Sequence, residues 1–128
     1  MRAAPSSASG EYARAVATGE TLLKQGRYRA AVAEYRKAVA LRPDSVAALI
    51  ALGDAFLEAD QPRNAVKPLL QAAQLDPGSA RAQLLLGTAF QSLGRAREAV
   101  TAYKRYLDLE PNGEFAGDVR AIVTNLSR

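Results

Sequence analysis

Histidine and cysteine, the side chains most often used for proton transfer, nucleophilic attack and zinc binding, are both absent from this 128-residue chain. The acidic residues are scattered, and no base stands ready to activate a Ser or Thr. No glycine-rich phosphate loop or metal-ligand cluster can be found either. The sequence therefore points away from an enzyme and predicts no cofactor. What remains is recognition chemistry. Arg supplies 13 of the 17 cations, and Arg29, Arg63 and Arg97 recur at one constant interval. Arg27, Arg36, Lys37, Arg95, Lys104 and Arg105 lie near them. Such a set can be a solvated surface paired with Glu34 and Glu98, or it can contact an acidic protein, a lipid headgroup or nucleic acid. Nucleic acid is disfavoured, because the net charge is only +4 and aromatic stacking partners are few.

The interval between those arginines governs the rest of the chain. Gly19, Gly53 and Gly87 are spaced by it, as are Ala31, Ala65 and Ala99, and Pro43, Pro77 and Pro111. Within each copy the Ala stands midway between the Gly and the Pro. A fixed period of about 34 residues marks stacked helical hairpins. The first copy runs over about residues 12–45, the second over 46–79 and the third over 80–113. Apolar residues at 3- and 4-residue steps place two helices in each copy. Each proline ends its second helix, because the residue before a proline avoids the helical basin.

Local departures from the pattern carry their own expectations. The turn at Ala59–Pro62 has Asp60 where Gly would be usual, and Asp60 reads as an N-cap. Pro68 falls in mid-helix, where it removes one backbone bond, and predicts a bend or a widened turn over 64–68. Glu114–Leu126 carries Phe115, Val119, Ile122, Val123 and Leu126 along one stripe. It reads as a single amphipathic capping helix against Tyr106. Residues 1–11 are small and polar and read as a flexible tail or linker. They contain no apolar stretch typical of a signal peptide. No apolar run approaches the roughly 20 residues that span a bilayer, and a cytoplasmic location is the expectation. The fold class is all-α: seven helices in one solenoid over residues 12–126.

The repeated residues explain one another physically. Gly in a helix interior costs about 0.5–1 kcal/mol against Ala, so its recurrence calls for close packing. Ala31, Ala65 and Ala99 are the expected partners across each hairpin. Tyr35, Phe56, Phe90 and Tyr103 read as core.

Leu49–Phe56, with Leu52-Gly53 and then Ala65 and Pro77, resembles the tetratricopeptide repeat (TPR) family, and the third copy repeats Leu86, Gly87, Phe90, Ala99 and Tyr103. The first copy departs most, with Ala15, Thr18 and Leu22 where the family prefers an aromatic, Leu and an aromatic. The resemblance implies a right-handed superhelix whose inner face is lined by the first helix of each repeat. It also implies a protein-binding scaffold or adaptor. The Ala- and Arg-rich style is similar to that of bacterial TPR proteins from larger assemblies.

Carried onto this sequence, the resemblance lines the groove with Val16, Glu20 and Lys24, then Ile50, Asp54, Leu57 and Glu58. Arg81, Leu84, Thr88 and Gln91 follow, with Asp118 and Ile122 on the capping helix. The TPR domains that clamp acidic chaperone C-termini use basic and amide residues. Val16, Glu20, Ala51, Arg81 and Leu85 stand at the matching places, which argues against that partner class. An aliphatic floor with Glu20, Asp54 and Glu58 at its middle suits a peptide or helix carrying apolar anchors and a Lys or Arg. Two alternatives stay open: self-association through an uncovered apolar end, giving a homo-oligomer, and a basic outer face that binds nucleic acid or acidic lipid.

Overall fold

The structure, a computed structural model, describes the backbone of residues 4–128 and the side chains from Ser9 onward. Seven helices and no strands occur among the described residues: α1 (Ala4–Lys24), α2 (Tyr28–Leu41), α3 (Val46–Glu58), α4 (Pro62–Leu75), α5 (Ala80–Ser92), α6 (Ala96–Leu109) and α7 (Ala116–Leu126). The first helix, expected from about Tyr12, begins at Ala4. Pro5 sits in its first turn, where no intrahelical bond is lost. The helix is fastened to the next hairpin by Tyr12, whose hydroxyl lies 2.8 Å from Ser45 Oγ, and by Arg42, which donates to Ser9 Oγ. Arg42 also covers the Tyr12 ring at 4.3 Å. Met1 to Ala3, the rest of the expected tail, lie outside the described residues.

Turn chemistry repeats with the sequence. Gly26, Asp60 and Gly94, again one period apart, have φ of 76°, 62° and 73° and turn each first helix into its second. Asp60 is thus the left-handed residue of its turn, and the N-cap of α4 is Gln61. Asp tolerates this basin better than most residues, which is why it can stand where the other copies use Gly. Arg42, Asp76 and Glu110 close α2, α4 and α6 with ψ of 83°, 87° and 67°. Each precedes a proline and is held out of the helical basin by it. Ser45 and Ser79 cap α3 and α5 by accepting from the amides of Ala48 and Ala82.

Each helix packs on the next along the chain, α3 also touches α5, and among the described residues no packed contact joins α1 to α6 or α7. The chain is therefore an open stack and not a closed bundle. Its main core runs through all three hairpins from Ala31 to Val119, with Tyr35, Leu69 and Val119 among its fully buried side chains, and Leu49 is buried in a smaller cluster with Ala72 and Ala82. Ala31, Ala65 and Ala99 are completely buried, but they are not what the glycines accommodate. A Cβ on Gly19 or Gly87 would meet the ring of Tyr35 or Tyr103, and one on Gly53 would meet Leu69. The glycines make room for the side chain one helical turn beyond each alanine.

Two further expectations change. Pro68 interrupts nothing: α4 is α-helical from Pro62 to Leu75 with no widened turn. The carbonyl deprived of its partner belongs to the exposed Asn64, while Pro68 is buried and lines a cavity shared with Leu49, Leu52 and Phe56 of α3. In the cap, Phe115 precedes α7 as its N-cap and is 38% exposed. Ala116 and Val119 are the buried residues of α7, and Ile122, Val123 and Leu126 pack against the core. Tyr106 meets this cap as expected, its hydroxyl accepting from the Phe115 amide at 3.3 Å.

Candidate functional site

A wall of first helices follows from the packing order: α1, α3 and α5 take the same place in successive hairpins, and α7 takes it after the third. Ile50, Leu57 and Leu84 are half-buried, as is Ile122 on α7, and all four pack on the main core while keeping part of their surface open. Val16 is half-buried on a smaller cluster around Ala15, Ala38 and Ala48. Leu85, also a candidate for this surface, is buried between helices. Glu20, Lys24, Glu58, Arg81, Gln91 and Asp118 are exposed, whereas Asp54 and Thr88 are half-buried.

The structure joins two of the predicted residues directly. Arg81 of α5 donates to Asp54 Oδ2 of α3 at 3.2 Å, an ion pair that bridges successive repeats. The carboxylate of Asp54 is thus already answered from within the chain. Glu20 and Glu58 have no ion pair among the described residues.

Two tyrosines taken as pure core also reach this wall. Tyr103 belongs to α6, yet its hydroxyl donates to Gln91 Oε1 at 2.7 Å and lies 3.5 Å from Thr88 Oγ1. Burial raises its phenol above the ordinary value of 10.0, opposed by the hydrogen bond with Thr88. Tyr35 of α2 is raised as well, first by burial and then by the charges of Glu20 and Asp54. The signal was present in the sequence. Tyr35, Leu69 and Tyr103 share the repeat register, so the two outer repeats carry a hydroxyl where the middle one has only methyls. Amphipathic side chains of this kind combine a buried ring with a polar end at its edge.

At the N-terminal end, a cavity of about 600 Å³ is bounded by α1 and α2 alone. Glu11, Arg14, Glu34 and Lys37 line it beside Ala15 and Leu41, so this end is not the bare apolar surface expected. Among the described residues there is no group of three or more acidic side chains placed to hold a metal ion. No described helix is long and apolar enough to cross a membrane.

An open stack of helical hairpins with a wall of first helices defines an α-solenoid, a class built to present extended surfaces. The tetratricopeptide repeat model matches residues 16–80 and, in overlapping register, 50–114. The chain belongs to the tetratricopeptide repeat family. Among solved structures it is similar to the first TPR domain of Spaghetti (RPAP3) bound to an HSP90 peptide, with 25% identity and a TM-score of 0.85. That match covers 93% of this chain and 95% of the other. The first TPR domain of human RPAP3 is similar at 26% identity and a TM-score of 0.82, over 91% and 92% of the two chains. The TPR domain of Arabidopsis OM64 shares the fold at 24% identity, 90% and 93% coverage and a TM-score of 0.83. A comparison with curated protein sequences gives no match.

Proposed function

We propose that this chain is a protein-interaction scaffold that holds a helix or extended segment of a partner protein along the wall formed by α1, α3, α5 and α7. The observation that carries this reading is the open aliphatic strip of Val16, Ile50, Leu57, Leu84 and Ile122, with the unpaired carboxylates of Glu20 and Glu58 beside it. Apolar anchors would fill the strip, and a Lys or Arg between them would meet the acids. The peptide held by the RPAP3 domain supports the mode of binding.

The chemistry of the occupant differs from that of an acidic chaperone tail. Of the positions that resemble the chaperone clamp, Leu85 is buried, Arg81 is engaged by Asp54, and Glu20 presents a negative charge. We place the module in a larger bacterial assembly, on the strength of its Ala- and Arg-rich composition. Photo-crosslinkers at Ile50 and Leu84, with a control at Arg97 on a second helix, test the reading in native lysate. Capture of one partner from the two inner positions, reduced by Glu58→Lys, is expected. Crosslinking from Arg97 alone would sink it.

A further inference from the structure

The opposite side of the stack carries a second trough. Between the second helices α2 and α4 the chain leaves a cavity of about 430 Å³ floored by Leu49, Leu52 and Phe56 of α3. An adjoining space of about 230 Å³, also lined by Arg36 and Phe56, extends it towards the turn at Gln61. Arg29, Arg36, Arg63 and Lys67 stand along the two spaces, and no carboxylate lines either. None of these four cations forms an ion pair among the described residues. The Arg36 guanidinium lies 5.5 Å from the centre of the Phe56 ring, so positive charge borders the apolar floor directly. A trough with four cations that lack ion pairs at its rim, and with Leu49, Leu52 and Phe56 largely buried in its floor, fits an acidic segment that carries an exposed apolar anchor.

The chain itself contains such a segment. The end of α6 and the turn into α7 present Asp108, Glu110, Glu114 and Asp118, all exposed and all without an ion pair among the described residues. Leu109 and Phe115 lie among them, each 38% exposed. Within one molecule this segment cannot reach the trough, because α7 packs on α6 and makes no packed contact with α2 or α4. We propose that the chain associates head to tail, with the α6–α7 turn of one copy seated in the α2/α4 trough of the next. Phe115 enters over Phe56, and Glu110 and Glu114 face Arg36, Arg63 and Lys67. The two surfaces differ, so each added copy leaves one of each free, and association continues into open chains or a ring. This contact meets the inner wall only at Asp118 of α7 and leaves α1, α3 and α5 open to their own partner.

Light scattering and sedimentation over a concentration series test the proposal. The mass of the wild-type chain rises with concentration and falls back as salt screens the contact. Arg63→Glu or Lys67→Glu in the trough, and Glu114→Arg in the turn, each weaken association about tenfold, with circular dichroism unchanged because all three sites are exposed. Mixing the Arg63→Glu and Glu114→Arg chains restores association, because the intact trough of one takes the intact turn of the other and the two reversed surfaces are again opposite in charge. A wild-type chain that stays monomeric, reversals without effect, or a mixture without recovery would each overturn it. So would a monomeric chain whose trough takes up a single-stranded oligonucleotide or phosphatidylserine vesicles instead.

Discussion

Gly87 lies against the ring of Tyr103 so closely that a Cβ added there would stand 2.4 Å from one ring carbon and 2.5 Å from another. Both residues are buried, and Tyr103 is pinned at its far end by the hydrogen bond to Gln91. The ring can neither swing away nor be displaced without loss. Helix propensity alone would make Gly87→Ala stabilising by about 0.5–1 kcal/mol. Overpacking costs about 1–3 kcal/mol and should outweigh that gain, leaving a net loss of up to about 2 kcal/mol. Urea denaturation decides between the two, since the effects are opposite in sign.

The same tyrosine should betray its burial in alkali. Tyr103 and Tyr35 both have phenols raised above 10.0 in the folded chain. In the unfolded chain they ionise first, so the folded state holds more protons once the pH passes 10. The stability they contribute is complete below that pH and is lost as pH rises through their folded values. Tyrosinate absorbance of the native protein is expected to show a late-titrating phase from Tyr35 and Tyr103. The Tyr35→Phe, Tyr103→Phe double variant should lose that phase and show a shallower alkaline fall in stability. A late phase that persists unchanged in the double variant would contradict the burial of these hydroxyls.

How much of this was legible in the sequence depends on which contacts the repeat register carries from copy to copy. Helix ends at Pro43, Pro77 and Pro111 follow from local backbone sterics and could be read directly. The partner of each glycine could not, because Ala31 and Tyr35 lie one turn apart on the same face of α2 and only the helix crossing chooses between them. Asp60 failed for a related reason. Its side chain is a good cap, but the register it shares with Gly26 and Gly94 demanded a left-handed backbone, and the register won. The residues proposed for the inner wall follow from the repeat register, whereas the ion pair between Asp54 and Arg81 does not, since rotamers of long side chains leave no periodic trace.

That ion pair should matter more for binding than for stability. The Arg81 side chain is 51% exposed and that of Asp54 22% exposed, so solvent screens most of their attraction. Arg81→Ala is expected to change stability by no more than about 1 kcal/mol. It also releases a carboxylate on the inner wall. A partner that brings a Lys or Arg to this wall should then bind the variant more tightly than the wild type, and Asp54→Lys should bind it less tightly. Calorimetry with the captured partner checks both directions. Weaker binding by Arg81→Ala would mean that the partner is acidic there.

Pro68 offers a test in which known effects compete. In a helix interior Pro is about 3 kcal/mol worse than Ala, chiefly because it lacks the amide that would bond to the Asn64 carbonyl. Against that, replacing it removes two ring methylenes from a buried position, worth about 0.8 kcal/mol each. The greater freedom of an unfolded Ala is already contained in the propensity difference. The balance predicts that Pro68→Ala stabilises the domain by about 1 kcal/mol, with a new amide at position 68 protected as strongly from hydrogen exchange as its neighbours in α4. If loss of the buried ring is instead the larger effect, the variant will be less stable even though the new amide is protected. Measuring exchange and denaturation on the same sample separates the backbone contribution from the packing one.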